Sequence, residues 1–318
     1  MIKDIKNTIK QSAIYGLSRI GVRAASFILI PIYTSVFATD VIANINLLES
    51  FWQYIFTFIL FGAEAAIINF CAKEKDDSKR KKIIFNFFSI LLTNSLLFIL
   101  IAGFLSSNLS LLVLRETGYS SVIFYCFLIS AFEALLIIPL TIARLNEKPL
   151  LYTLIVLCNL FINILLQLYF IFYLQYSFEY VFFAKFAAPA ITLILCIFYI
   201  LKNIKINYNS AALKEIIKYS FPLMIAMVFS LLLNSIDRFI LVDFVSKQQV
   251  AVYTIAFSIG SITNAFILSP YTLAMNVIFW KKLQDENFNR FMTKSSTYLF
   301  FYYDFFCFIN FVLHSICH

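Results

Sequence analysis

The chain has 318 residues, of which 62% are hydrophobic and 13% charged; its mean hydropathy is +0.87 and its net charge +8. Soluble domains lie near ~45–50% apolar and ~25% charged, so a soluble enzyme, a disordered regulator and a secreted disulfide scaffold are excluded. An anchored soluble domain is excluded too, because no polar stretch is long enough to fold alone, and continuous apolar runs of roughly 20 residues, in place of the ~10-residue alternation of a barrel, predict an all-α polytopic membrane protein.

Nine spans are expected, at about 12–36, 42–71, 83–107, 119–143, 149–173, 179–201, 218–242, 248–279 and 292–314. In the first, Arg19 and Arg23 interrupt the apolar run and no small-residue cleavage site follows, so an uncleaved helix is expected. That span carries Ser12, Arg19, Arg23 and Ser26 on one stripe. Arg19 lies about two turns from the helix end, within reach of the headgroups or of a cavity; Arg23, a turn deeper, favours the cavity. The second span carries Asn46, Glu49, Gln53, Thr57 and Glu64, whose spacing puts all five on one helical face. Glu64, near the span's end, either caps a helix contact or joins the interior. Glu133 sits near the middle of the fourth span, where snorkelling is hard, and is expected to be functional or ion-paired.

The fifth span repeats Asn159, Asn163 and Gln167, either lining the interior or bonding neighbouring helices. In the sixth, Lys185 lies within two turns of the end and is expected to snorkel. Pro139 and Pro189 are expected to kink their helices. The seventh span repeats Ser230, Asn234 and Arg238, with Asp237 about 100° from Arg238. Asp304, in the ninth, is assigned no role.

The loops fix the topology. Lys3, Lys6 and Lys10; Lys73, Lys75 and Lys79 to Lys82; Arg144 and Lys148; Lys202, Lys205, Lys214 and Lys218; and Lys281, Lys282, Arg290 and Lys294 all fall in one alternate set of loops. The other set holds only Arg115 and Lys247, a split of nineteen to two. By the positive-inside rule the N-terminus is cytoplasmic.

A charge at a helix centre costs about 2.5–3.5 kcal/mol on insertion scales, so stripes on several helices are expected to turn toward a shared polar interior. Arg binds two oxygens of a phosphate at once, so a cavity with Arg19, Arg23 and Arg238, and with Asn234 and Gln53 as further polar lining, is expected to receive a phosphorylated or pyrophosphorylated headgroup. Glu49, Glu64, Glu133 and Asp237 would pair with these cations or carry a coupling ion. The six cysteines are scattered and read as apolar filler, and His314 and His318 are the only histidines. No metal site, cofactor or phosphate-binding Gly-rich loop is therefore expected, nor ATP hydrolysis. The positive charge reads as basic loops rather than a nucleic-acid footprint.

Several segments resemble bacterial polysaccharide flippases: YGLSRIGVRAASFILIPIYTSVF within Ile14–Phe37, GAEAAIINF (Gly62–Phe70), ARLNEKPLLY (Ala143–Tyr152), FPLMIAMVFSLLLNSIDRFIL (Phe221–Leu241) and VAVYTIAFSIGSI (Val250–Ile262). Over about residues 8–285 the order and spacing resemble the O-antigen/polysaccharide (Wzx-type) flippases of the multidrug/oligosaccharidyl-lipid/polysaccharide exporter superfamily. The resemblance implies a transporter rather than an enzyme, in the bacterial inner membrane. It would flip an undecaprenyl-diphosphate-linked oligosaccharide, an O-antigen, lipopolysaccharide or capsule repeat unit, by alternating access. It also implies membrane lipid, a polysaccharide polymerase and chain-length proteins as partners.

The implied fold has two six-helix lobes. Here residues 1–205 would be a complete N-terminal lobe and 206–318 a partial one of about three helices, as a premature stop or frameshift would leave it, and the chain would be inactive alone. FATDVIANI (Phe37–Ile45) and VSKQQVAVY (Val245–Tyr253) follow the corresponding first helices of the lobes with similar polar turns. Asn69 stands where the family pattern has a basic residue. Three other functions compete, one of them a non-transporting membrane scaffold, which would not need the charged stripes. A cation-coupled multidrug exporter would want carboxylates or aromatics rather than a basic cavity; a membrane polysaccharide polymerase would want a long polar outer loop, and these loops are short.

Overall fold

The computed structural model describes residues 29–74, 76–173 and 178–263, with a few isolated positions outside them. The first span's Arg19 and Arg23, most of the eighth span and the ninth lie outside the described residues. The chain divides into two compact units, Phe27–Thr254 and a second made of Met1–Ser26 with Ile255–His318. The first holds nearly all described residues.

After a helical stretch at 29–36 the elements are α1 (Thr39–Leu60), α2 (Ala63–Lys73), α3 (Asp77–Leu114), α4 (Ser120–Leu145), α5 (Pro149–Leu168), a π-helical turn (Tyr169–Tyr173), α6 (Glu179–Asn203), α7 (Ser210–Leu241) and α8 (Lys247–Thr263). Among the described residues there is no strand, and six helical segments are long and apolar enough to cross a membrane, α1 and α2 together making one. Spans two to seven are thus accounted for; a total of nine is not shown.

Two differences from the expected spans have local causes. The second span is two helices, because Phe61 (φ 51°) and Gly62 (φ 69°) are both left-handed. Gly62 is needed twice over: for its φ, and because a Cβ there would meet the Ser220 carbonyl oxygen at 2.7 Å and Leu223 Cβ at 2.9 Å. The third span is a 38-residue helix. It starts early because Asp76 caps it, its side chain accepting from the Ser78 N–H at 2.9 Å.

Helix α4 is the hub, packing against α1, α2, α3, α5 and α6. Its small residues Ala131, Ala134 and Ala143 are buried and let neighbours approach closely. Two apolar clusters lie along it. One gathers Leu47, Leu48, Ile55, Ile123, Ile129 and Phe182; the other gathers Leu60, Ile67, Phe87, Leu91, Ile138 and Ile142. Leu100, Phe104, Leu165, Phe198 and Leu233 are exposed, as helix faces in lipid must be.

Contacts between loops support the expected alternation. At one end, which carries Lys79 to Lys82, Arg80 Nη2 donates to Asn146 Oδ1 (3.3 Å), Asn146 Nδ2 to Asn203 Oδ1 (3.3 Å), and Lys205 Nζ to Ser78 Oγ (3.2 Å). The connections after spans two, four and six therefore meet. At the other end the turn after α3 meets the turn after α7.

Candidate functional site

Among the described residues, the charged residues expected inside the spans fall into three groups. The first is centred on Lys185. Its ammonium donates to Glu49 on α1, and only 9% of its side chain is exposed. It lies 4.8 Å from the ring centroid of Trp52 and 5.5 Å from that of Phe182. Those two rings meet edge to face at 6.4 Å. An ammonium between a carboxylate and aromatic faces is held by Coulomb attraction and cation–π contact together. The expectation that Lys185 snorkels is corrected: its stem runs into the bundle because α6 carries it past a lone carboxylate on α1.

Glu133 on α4 belongs to the same group. It is half-buried, lies close enough to Lys185 to interact electrostatically, and forms no ion pair among the described residues. Tyr33 reaches the group from the stretch before α1 and donates its hydroxyl to Gln167 Oε1, while Gln167 Nε2 donates to Asn163 Oδ1 at 2.6 Å. Two members of the fifth-span stripe therefore bond to each other and to a neighbouring helix rather than presenting free amides.

The second group joins α7 to α1. Arg238 Nη1 donates to Ser50 Oγ at 3.0 Å, and the hydroxyls of Tyr54 and Ser235 lie 2.7 Å apart. Asp237 faces elsewhere, as its angular offset predicts, and accepts from the Tyr253 hydroxyl. Asn234 is exposed and donates to the Ser230 carbonyl of its own helix at 2.6 Å. Gln53 is exposed one turn beyond Glu49, and Thr57 is buried and turned onto the Gln53 carbonyl.

The third group is separate. The break at Phe61–Gly62 ends the second-span stripe at Thr57 and puts Glu64 on α2. There it accepts from Arg144 Nη1 of α4 at 2.5 Å. The expected single face of five polar residues is corrected to a four-residue face and an independent ion pair. Among the described residues, no group of three or more His, Cys, Asp or Glu could hold a metal ion.

Sequence reasoning singled out Glu49, Glu133 and Arg238 as charged residues inside spans; it did not anticipate their contacts with Lys185, Ser50, Tyr33, Trp52 and Phe182. The one usable signal for Lys185 was its complement, a carboxylate within another apolar span.

Residues 8–276 match the family model described as polysaccharide biosynthesis protein. No curated protein matches the sequence. Among solved structures, the chain is similar to the MATE multidrug transporter DinF-BH, with a TM-score of 0.73, 16% identity, and coverage of 93% of this chain and 69% of that one. It is also similar to a MOP-superfamily transporter from Pyrococcus furiosus noted for a binding pocket of reverse polarity (TM-score 0.58, 13% identity, 91% and 74% covered). A third match, called protein A, has a TM-score of 0.70 at 16% identity; the chain covers 65% of its length, with 89% of this chain aligned. The chain thus spans about two thirds of the length of the solved proteins it resembles. It belongs to the polysaccharide biosynthesis protein family and shares the fold of MOP-superfamily membrane transporters.

Proposed function

We propose that the chain is a flippase that carries an undecaprenyl-diphosphate-linked oligosaccharide, an O-antigen or capsule repeat unit, across the bacterial cytoplasmic membrane by alternating access. The observation that carries this reading is the polysaccharide biosynthesis family match over 8–276, in a chain with the fold of membrane transporters. The end bearing Lys79 to Lys82 faces the cytoplasm in this reading. The diphosphate is the part that needs cations. Arg238, held near α1 by Ser50, is the described residue suited to it; Arg19 and Arg23 complete the basic set. The exposed amides of Gln53 and Asn234 serve the glycan. Glu133, beside the Lys185–Glu49 pair, is the coupling group. The lobes divide near 205, and the polymerase and chain-length proteins act on the delivered unit.

The test is complementation of a strain lacking its own flippase, reading glycan at the outer surface. Arg238→Ala is expected to lower export while membrane abundance holds, and unchanged export would remove Arg238 from the site. Glu133→Gln is expected to change the dependence of export on the ion gradient; identical dependence would make Glu133 structural.

A multidrug exporter is the second reading, favoured by the MATE transporters among the fold neighbours. Efflux of a cationic dye that is independent of glycan synthesis would establish it.

A further inference from the structure

The two basic residues that stand apart from the basic end, Arg115 and Lys247, are both committed to ion pairs at the opposite end. Arg115 and Glu116 follow α3; Asp243 follows α7, and Lys247 opens α8. Arg115 donates from Nη2 to both Asp243 carboxylate oxygens at 2.9 Å and from Nε to Oδ1 at 3.1 Å. In return Lys247 donates to Glu116 and, at 3.1 Å, to the Leu114 carbonyl that ends α3. Each turn thus contributes one cation and one anion, and each charge finds its opposite on the other turn.

The backbone is set for this contact. Arg115 has φ 57°, and its N–H bonds the Leu111 carbonyl. That left-handed cap turns the chain out of α3, a conformation a long side chain adopts at a cost. The polarity is crossed, so a slide of one turn past the other would bring like charges together. Such a contact is satisfied in one register only.

The pairs are well formed but stand partly in water. The side chains of Arg115 and Asp243 are 48% and 49% exposed, and those of Lys247 and Glu116 are 22% and 43% exposed. Water-exposed pairs add little stability. A contact that must open and close repeatedly wants this combination of one register and low cost. Where α7 meets α1–α2 near Gly62, the contacts are instead apolar, Phe61 on Phe221 and Phe70 on Tyr219.

We infer that Arg115–Asp243 and Glu116–Lys247 form a reversible latch that closes one end of the transport pathway and must break for that end to open. The inference rests on the transporter reading, in which this end faces outward; within the compact unit Phe27–Thr254 the latch joins α3 to the α7–α8 turn.

The test is thiol accessibility at Gln53→Cys, an exposed position on the polar face of α1, probed with a membrane-impermeant maleimide in both right-side-out and inside-out vesicles. The parent chain with its native cysteines supplies the background. Combining Arg115→Ala with Lys247→Ala is expected to raise labelling from the latch side by about threefold or more, without a rise from the other side. The charge exchange Arg115→Asp with Asp243→Arg is expected to return labelling toward the parent rate. About 1 M salt, which screens exposed pairs, is expected to mimic the double variant in the unaltered latch. This last arm keeps the inference falsifiable if a variant fails to insert. Labelling unmoved by both salt and charge removal would overturn the latch. Labelling needs no glycan, so a latch that opens as expected in a protein that exports nothing would sink the substrate reading alone.

Discussion

Two ion pairs in this molecule share a chemistry and differ in almost everything else. Lys185 reaches Glu49 across 136 residues of sequence, and Arg115 reaches Asp243 across 128. Lys185 is 9% exposed and lies against two aromatic rings; Arg115 is 48% exposed and meets water. In the first place the buried Lys185 ammonium cannot be solvated if Glu49, itself 33% exposed, leaves, so the pair is obligatory for the lysine. In the second, water replaces a lost partner, so the pair is optional to the fold and available for switching. Environment, more than residue type, decides which pair holds the structure and which can move.

The sharpest way to break the comparison is Glu49→Ala. It strands the Lys185 ammonium, 9% exposed, in the bundle and is expected to cost about 3–5 kcal/mol, read as a large drop in the temperature at which the detergent-solubilised protein loses its fold. Lys185→Met combined with Glu49→Gln is expected to recover most of that loss. A double variant no better than the single would show that the pair is not an energetic unit.

Next in size is Gly62→Ala, expected to cost about 2–3 kcal/mol from the positive φ and the collision with the Ser220 carbonyl. Gly103→Ala, inside α3 with open space around it, is the control and is expected to be neutral or slightly stabilising, by up to about 1 kcal/mol. If both glycines behave alike in the same thermal assay, the tight α2–α7 approach is not real.

Arg144→Ala comes third. Its partner Glu64 is 34% exposed, so about 1 kcal/mol is expected, between the two extremes. The smallest effect is expected from Arg115→Ala, below about 1 kcal/mol and near the limit of the thermal assay. A loss as large as that of Glu49→Ala would mean the exposed pair is structural after all.

The sequence makes the fold legible where the signal is local. Apolar runs locate α3 to α7 because a bilayer demands about 20 residues per crossing, and loop charge groups the connections that the structure brings together at one end. It fails where the cause is non-local. The break at Gly62 depends on how closely α7 approaches, which no window around residue 62 contains. Lys185 looks like a snorkelling residue when judged by its distance from the helix end; its burial follows from a carboxylate on another helix. Glu49, Glu133 and Arg238 are legible as polar residues in apolar surroundings, but their partners are not, because Ser50 and Tyr54 give no pattern until α7 lies against α1.

The length of α3 has a mechanical consequence. Thirty-eight residues make a rod of about 57 Å, against a hydrocarbon layer of about 30 Å. The rod carries Lys79 to Lys82 at one tip and Ser106, Ser107 and Asn108 near the other, so its apolar middle is shorter than its whole length. A bilayer of changed thickness would be met by tilting this rod rather than by stretching it. Since Arg115 stands at its far tip, a change in tilt would be delivered as sideways displacement at the turn that grips Asp243. Lipid thickness would thereby act on this protein as a lever acts on a catch.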